Sequence, residues 1–176
     1  MKYLILSDLH GSLDAKNTIE ELINKYEFEK IILLGDILYH GPRNDLPNLY
    51  KPKELIKFLN SLKDKIIAIK GNCDAEVDEM VLEFKLHNNL DLILNSKTCH
   101  LEHGHHLDLY KGTKDIIMYG HTHILKLEKI NDIIYFNPGS ITLPKENNPK
   151  SYAIMDNNKI TIYDINHNII KEIKII

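Results

Sequence analysis

The first half of the chain alternates short apolar runs with segments in which apolar residues recur at helical spacing. The apolar runs are YLILS (3–7), IILLG (31–35) and IIAIKG (66–71), and the helical segments are SLDAKNTIEELINKY (12–26) and PKELIKFLNSLK (52–63). Short strands that alternate with helices at this distance predict βαβ units and a parallel sheet. We therefore expect the first three strands to lie side by side.

The second half contains apolar runs that are separated by turn residues rather than by helical segments. The runs are LILN (92–95), CHLEH (99–103), IIMYG (116–120), IIYFN (133–137), YAIMD (152–156), ITIYDI (160–165) and IIKEIKII (169–176). Such short spacings favour hairpins and a second, more antiparallel sheet. Because no linker or low-complexity stretch separates the halves, we expect residues 1–176 to form a single domain.

Polar side chains that can bind a metal ion stand where five of these runs end. They are Asp8 and His10 after the first run, Asp36 after the second, Asn72 after the third, His103 after CHLEH and His121 with His123 after IIMYG. In open α/β sheets, ligands bind beyond the carboxyl ends of the strands, so these segments are expected to converge.

The types of these side chains indicate which metal they would bind. Four histidines with carboxylates and an amide suit Mn, Fe, Zn or Ni, whereas Mg and Ca prefer oxygen ligands alone. In Asp8-Leu9-His10 and His121-Thr122-His123 the paired residues are two apart, and in extended backbone both would project to one side. Each motif alone is also typical of an ordinary turn. The five together, in this order at five strand ends, favour a metal centre.

Composition and charge exclude several classes of protein. Apolar residues make up 43 % and charged residues 27 %, as in globular proteins, and two cysteines are too few for a disulfide framework. No apolar run approaches the roughly 20 residues of a membrane span, so we expect a cytoplasmic protein without membrane association. The net charge of -3 gives no reason to expect nucleic acid as a stable partner.

The metal-binding motifs and their surroundings resemble those of a known family. The matching segments are SDLHGS (7–12), GDILYHGPRN (35–44), GNCDAEVD (71–78), YGHTH (119–123) and FNPGS (136–140). Their order is similar to that of the calcineurin-like metallophosphoesterases, and in particular of the small YfcE-type phosphodiesterases. The resemblance implies an α/β (α+β) fold, a four-layer α-β-β-α sandwich of two mixed sheets flanked by helices.

The resemblance also implies a role for each candidate ligand. Asp8, His10 and His123 would bind one metal ion, Asn72, His103 and His121 the other, and Asp36 would bridge the two. We expect Mn2+, with Ni2+, Zn2+ or Fe2+ as alternatives. A water or hydroxide activated by both ions would hydrolyse a phosphodiester, and Asp36, Asn72 and His121 would take a direct part in catalysis.

Other residues near these motifs are candidates for the substrate site. Arg43, the only arginine, could contact a substrate phosphate in bidentate fashion or form a surface ion pair, and His40 precedes it in the same loop. Cys73 stands where many relatives have a histidine, so the general acid is unassigned, and the thiol could be a redox-sensitive group or a packing residue. His105 and His106 could line the side of the second metal or lie exposed.

Two other functions fit the same motifs. One is a phosphomonoesterase or protein phosphatase on the same site, and the other is a non-catalytic binding scaffold of the retromer-subunit type. The short chain leaves little sequence for a cap over the metals, which favours an open pocket and a phosphodiester as the phosphate-ester substrate. The apolar segment 169–176 could form a sheet edge that pairs with a second copy in a homo-oligomer.

Overall fold

Two β-sheets pack face to face in this computed structural model, which describes residues 1–175 except for the side chain of Leu109. The first sheet has seven strands and the second has five. The strands are β1 (Tyr3–Leu6), β2 (Lys30–Leu33), β3 (Ile66–Ile69), β4 (Leu86–His87), β5 (Asn89–Leu94), β6 (Lys97–Glu102), β7 (Ile116–Met118), β8 (Lys126–Ile130), β9 (Ile133–Asn137), β10 (Ser151–Met155), β11 (Lys159–Asp164) and β12 (Ile169–Lys174). The helices are α1 (Leu13–Lys25), α2 (Pro52–Ser61) and α3 (Glu76–Val81), with 3-10 turns at Lys63–Lys65 and Leu107–Leu109.

The first sheet contains the predicted parallel strands. Its order is β12-β11-β10-β1-β2-β3-β4, and the pairs from β1 to β4 are all parallel. Strand β1 is buried along its whole length, with Leu4 and Leu6 in one core and Tyr3 and Ile5 in the other. Burial on both faces explains why β1 is a continuous apolar run without alternation.

The prediction for the second half of the chain is wrong for the last three strands. Strands β10, β11 and β12 do not join the second sheet, because β10 pairs antiparallel with the free side of β1 and extends the first sheet. The second sheet, in the order β5-β6-β7-β9-β8, is also less antiparallel than predicted, since β6, β7 and β9 run parallel. The pattern of apolar residues locates the strands, but it does not show which strands pair with each other.

The two cores lie on either side of the first sheet. One core lies between this sheet and helices α1 and α2, and the other lies between the two sheets and consists chiefly of strand residues. Helix α1 begins after Ser12, whose hydroxyl accepts a hydrogen bond from the Asp14 amide, and Pro52 occupies the first turn of α2. Together the sheets and helices confirm the predicted α/β sandwich of two mixed sheets. Within residues 1–175, every helix is too short or too polar to cross a membrane.

Strand β12 forms one edge of the first sheet. Ile169 and Ile170 are exposed on it, and its partner on the inner side is β11. An edge strand leaves backbone groups free to pair with another chain. The homo-oligomer expected at segment 169–176 stays a prediction, and Ile176 lies outside the described residues.

Candidate metal centre

The carboxyl ends of five strands meet at one rim of the two sheets. The predicted ligands stand on the loops that leave these strands, as Asp8 and His10 after β1, Asp36 after β2, Asn72 after β3, His103 after β6, and His121 with His123 after β7. Backbone hydrogen bonds join the first two loops, because the amide of Asp8 donates to the Gly35 carbonyl and that of His10 donates to the Asp36 carbonyl. The structure thus brings the seven predicted ligands to the same rim.

Four of these side chains form a buried cluster. One ligand atom from each of Asp8, His10, Asp36 and His123 lies within 4.8 Å of every other. His123 Nε2 is 3.2 Å from Asp8 Oδ1 and 3.2 Å from His10 Nε2. Each of the four residues is at most 2 % exposed. Such proximity of buried carboxylates and imidazoles requires a compensating charge.

Three histidines are oriented by backbone carbonyls in the same way. Nδ1 of each ring lies within hydrogen-bond distance of a carbonyl oxygen, that of Tyr39 for His10 (2.8 Å), Leu34 for His103 (2.6 Å) and Leu143 for His123 (2.5 Å). Because a carbonyl oxygen only accepts, Nδ1 carries the proton and Nε2 faces the cluster. This orientation is typical of metal-binding histidines, whose second nitrogen is held by a hydrogen-bond acceptor.

Two features of the cluster fit a bound cation. His10 Nε2 and His123 Nε2 face each other at 3.2 Å, and since Nδ1 of each ring donates to a carbonyl, Nε2 is the nitrogen left to bind a cation. Asp8 Oδ1 is buried and has no hydrogen-bond partner in the described residues. Buried polar atoms are nearly always paired, so these three atoms indicate a missing partner that accepts electron pairs. A divalent metal ion satisfies this requirement.

The Asp36 carboxylate, a member of this cluster, also faces a second group of donors. Its Oδ2 is 3.8 Å from His10 Nε2, while its Oδ1 is 3.4 Å from His103 Nε2. His103 Nε2 is also 3.2 Å from Asn72 Oδ1, and the His103 ring centroid is 5.2 Å from that of His121. Asp36 therefore presents one oxygen to each group, which is the geometry that a bridging ligand needs.

The electrostatics of the centre keep its acids ionised. Burial raises the pKa of Asp36, but the hydrogen bond and charge of His103 outweigh burial and hold the pKa well below its usual range. The pKa of Asp8 is likewise lowered, because His123 and His103 outweigh burial. Burial lowers the pKa of His10 and of His121, so both imidazoles are neutral and free to bind metal at neutral pH. The centre has two anionic carboxylates and two neutral rings ready as ligands.

Comparisons with known proteins agree with this geometry. The family described as the calcineurin-like phosphoesterase superfamily domain matches residues 1–159. The chain belongs to the calcineurin-like phosphoesterase superfamily. Phosphodiesterase YfcE of Escherichia coli K12 is 39 % identical over 171 residues, which cover 94 % of this chain and 93 % of YfcE. The resemblance of the motifs is thereby confirmed, and membership in this superfamily implies divalent metal ions.

Solved structures show the same relationship. The structure of YfcE, a phosphoesterase from E. coli, superimposes with a TM-score of 0.94 at 38 % identity and covers 99 % of this chain and 100 % of its own. Vacuolar protein sorting 29 from Cryptosporidium parvum has a TM-score of 0.67 at 18 % identity, with coverage of 98 % and 97 %, and shows a likeness of fold alone. The sandwich is thus a fold that this phosphoesterase shares with more distant proteins.

The backbone of the phosphoesterase is left-handed at most of the predicted ligands. The residues with positive φ include Asp8 (55°), His10 (46°), Asp36 (54°), His121 (67°) and His123 (59°). The prediction of extended backbone at the two spaced pairs is therefore wrong. Non-glycine residues adopt this conformation uncommonly, and such strain concentrates at functional sites. This conformation accompanies the convergence of Asp8 with His10, and of His121 with His123, on the same centre.

A residue without a role in the sequence prediction holds the bridging loop in place. The buried carboxylate of Asp74 accepts hydrogen bonds from three backbone amides, those of Asp36 (2.9 Å), Ile37 (2.7 Å) and Gly71 (2.7 Å). Burial raises the pKa of Asp74 to about 6. Asp74 is part of the GNCDAEVD segment, so the resemblance to the family already included this residue. Its role could not be predicted, because it depends on contacts between the loops that follow two different strands.

The turn at residues 137–140 lies near the site. Asn137 donates from its side-chain amide to the Gly120 carbonyl at 2.8 Å, which fixes the loop before His121. The hydroxyls of Ser140 and Thr142 both donate to the Asp8 carbonyl, at 2.9 and 2.8 Å. The turn therefore supports ligand loops from both sheets.

A cavity of about 740 Å³, here called the large cavity, opens over the metal centre. It is lined by Asp36, Asn72, Cys73, His121 and His123, together with Arg43 and Lys145. The prediction for Arg43 is thus compatible with the structure, and sequence reasoning missed Lys145. His40 does not line the cavity, because its ring packs edge-on against Tyr39 and Tyr50 with centroids 4.7 and 5.4 Å away.

The half-buried thiol of Cys73 lies at the wall of this cavity. Burial, and next the Asp36 carboxylate, raise the pKa of Cys73 to about 12. In the metal-free protein the thiol is therefore protonated, and a protonated thiol reacts slowly with oxidants. The backbone amide of Cys73 donates to Asp36 Oδ1 at 2.8 Å, so this position supports the bridging carboxylate through the main chain.

Proposed function

We propose that this phosphoesterase hydrolyses phosphodiesters in a metal-dependent reaction, and that residues 1–176 act as one domain. The observation that carries the proposal is the buried cluster beneath the large cavity. In it, Asp8 Oδ1 has no hydrogen-bond partner within the described part of the chain, and the Nε2 atoms of His10 and His123 face each other. The name of its relative phosphodiesterase YfcE, at 39 % identity, supports a diester as substrate.

We further propose that two divalent ions bind here, with Mn2+ as the expected metal and Ni2+, Zn2+ or Fe2+ as alternatives. One ion would be held by Asp8, His10 and His123, the other by Asn72, His103 and His121, with Asp36 bridging them. When bound, such a pair of ions acidifies water and neutralises charge on the phosphoryl group. The support for two ions is the position of the Asp36 carboxylate, with one oxygen toward each group of donors.

The side chains at the floor and wall of the large cavity would bind and orient the phosphate ester. Asn72 is exposed and His121 is partly exposed there, so both can reach a phosphoryl oxygen. Arg43 and Lys145 line the same cavity and have no carboxylate within 4.0 Å among the described residues. A free guanidinium can hold a phosphate with two parallel hydrogen bonds, and a lysine adds a point charge.

Turnover of matched aryl esters tests the proposal. Metal-stripped protein is supplied in turn with Mn2+, Ni2+, Zn2+ and Mg2+ and is assayed with bis(p-nitrophenyl) phosphate and with p-nitrophenyl phosphate. We expect release of nitrophenolate from the diester in preference to the monoester. Preference for the monoester would favour the phosphomonoesterase alternative. Absence of turnover with every metal would favour the binding scaffold.

Two variants test the metal ligands within the same assay. Asp36→Asn removes charge from the bridging position and His123→Ala removes a buried imidazole, and each is expected to lower diester turnover by about 100-fold or more. His87→Ala, which removes an imidazole from the short strand β4, serves as the control and should keep wild-type turnover. Wild-type turnover in either test variant would contradict the ligand assignment.

A further inference from the structure

A second cavity adjoins the metal centre on the side of His103. This small cavity has a volume of about 430 Å³ and is lined chiefly by Lys70, Asn88, Asn89, Glu102, His105 and His106. Gly71 and His103 also line it, and both contact the centre, since a Cβ on Gly71 would meet the Asp36 carboxylate. The centre is therefore flanked by two separate cavities.

A row of imidazoles connects the second group of ligands with the small cavity. The His105 ring centroid lies 5.5 Å from that of His103 and 6.0 Å from that of His121. The His106 ring follows at 4.2 Å from His105, and both residues are exposed. A phosphate bound at the centre can thus extend one substituent along these rings and the other into the large cavity.

The two cavities differ in charge. In the large cavity, the cations of Arg43 and Lys145 have no carboxylate partner among the described residues. In the small cavity, Lys70 is ion-paired with Glu79. The Glu102 carboxylate is 8 % exposed; its Oε2 lies 3.3 Å from His100 Nε2, and its Oε1 has no hydrogen-bond partner among the described residues. A departing alkoxide is stabilised near free cations and destabilised near a buried carboxylate. The leaving group therefore suits the large cavity.

From this asymmetry we infer that the small cavity binds the ester substituent that stays on phosphorus, and that it selects a planar substituent with hydrogen-bond donors, such as a nucleoside. The inference rests on the proposed phosphodiesterase function. The rings of His105 and His106 offer faces for stacking, the amides of Asn88 and Asn89 can donate and accept, and Glu102 can accept. In the reaction, water oxygen bonds to phosphorus, the bond to the leaving oxygen breaks, and that oxygen gains a proton. The bond to the retained substituent stays intact, so the products are a monoester and an alcohol.

Three diesters with the same p-nitrophenolate leaving group test this inference. Their retained substituents are methyl, p-nitrophenyl and 5′-thymidine. The wild-type protein should hydrolyse the thymidine diester with kcat/KM about tenfold or more above that for the methyl diester, as stacking on aromatic rings supplies such factors.

Two variants alter the small cavity in different ways. Asn89→Trp fills it from an exposed position on β5, and His106→Ala removes a stacking ring. Each should reduce the thymidine-to-methyl ratio of kcat/KM about tenfold. Asn24→Trp, which makes the same exchange at an exposed position on α1, is the matched control and should keep the wild-type ratio.

Binding of products gives a readout that does not depend on turnover. Thymidine 5′-monophosphate should shift the side-chain amide signals of Asn88 and Asn89 in nitrogen-15 spectra, whereas methyl phosphate should leave them in place. If the wild-type protein hydrolyses no diester, the proposed function fails and the inference fails with it. If diesters are hydrolysed with the same ratio in all four proteins, or if both products leave the amide signals in place, the inference alone is overturned.

Discussion

His103 is held at both ring nitrogens by acceptors. Its Nδ1 donates to the Leu34 carbonyl at 2.6 Å, and its Nε2 lies 3.4 Å from Asp36 Oδ1. Burial alone would lower the pKa of His103, but the hydrogen bond with Asp36 and the charges of Asp8 and Asp36 raise it to about 9. In metal-stripped protein at neutral pH, this histidine therefore carries a proton on the nitrogen that is predicted to bind metal.

Metal binding should consequently release a proton from His103. Because a ligand histidine must be neutral, the apparent affinity for the second ion should rise about tenfold per pH unit below pH 9 and level off above it. Calorimetric titrations with Mn2+ in buffers of different ionisation enthalpy, at a pH near neutrality, measure the proton directly. We expect about one proton released by His103. Affinity that is independent of pH over this range would contradict the assignment of His103 as a ligand.

At the scale of elements, the loops after β2 and β3 are tied together by Asp74. Both of its oxygens accept, and between them they satisfy the amides of Asp36, Ile37 and Gly71. An asparagine has one oxygen and one NH2 group. In Asp74→Asn, the NH2 group would therefore face at least one backbone N–H, and two donors cannot form a hydrogen bond. The expected result is a loss of about 1–3 kcal/mol of unfolding free energy together with a displaced Asp36 and reduced turnover.

Urea denaturation of metal-stripped protein measures the effect of Asp74→Asn on stability without a contribution from bound metal, and diester hydrolysis by the Mn2+-loaded protein measures its effect on turnover. Asp132→Asn provides the matched control, because it is the same substitution at an exposed position in the turn between β8 and β9. The control should match the wild-type protein in stability and in turnover. Unchanged stability and turnover in Asp74→Asn would show that the ligand loops are held by other contacts.

The sequence predicted the strands that carry the site better than it predicted how the strands pair in the sheets. Strands β1, β2 and β3 are buried on both faces, so their apolar runs and the polar residues that follow them are distinctive. Strand β8 has a single buried residue, Leu127, and β4 spans two residues, so neither was recognisable as a strand. The pairing of β10 with β1 depends on a free sheet edge, which no local pattern reveals.

The same limit applies within the site. The identities of the ligands and the strands that they follow could be predicted, because both depend only on position along the chain. The left-handed backbone at Asp8 and His10 was not, since these residues rarely adopt it without support from the surrounding structure. The contacts of Asp74 and Lys145 depend on which loops meet at the rim, and that follows from the sheet order.

At the scale of the whole molecule, the metal centre lies where the two sheets meet. The first sheet supplies four predicted ligands and the second supplies three, as Asp8, His10, Asp36 and Asn72 against His103, His121 and His123. Ions bound by both sets would connect the two layers of the sandwich. Metal binding should therefore stabilise the fold as well as support catalysis.

Thermal unfolding measures this stabilisation. A ligand that binds the folded state at 100 times its Kd adds about 2.7 kcal/mol, which corresponds to a rise in Tm of roughly 5–11 °C for a chain of this size. We expect Mn2+ to raise the Tm of stripped wild-type protein by this amount and that of His87→Gln equally, because His87 lies on β4 outside the cluster. In Asp36→Asn, loss of the bridging charge should reduce the rise by more than half, since that carboxylate faces both groups of donors. An equal rise in Asp36→Asn would mean that the ions bind elsewhere, because stabilisation through this centre requires the residue that lies between its two halves.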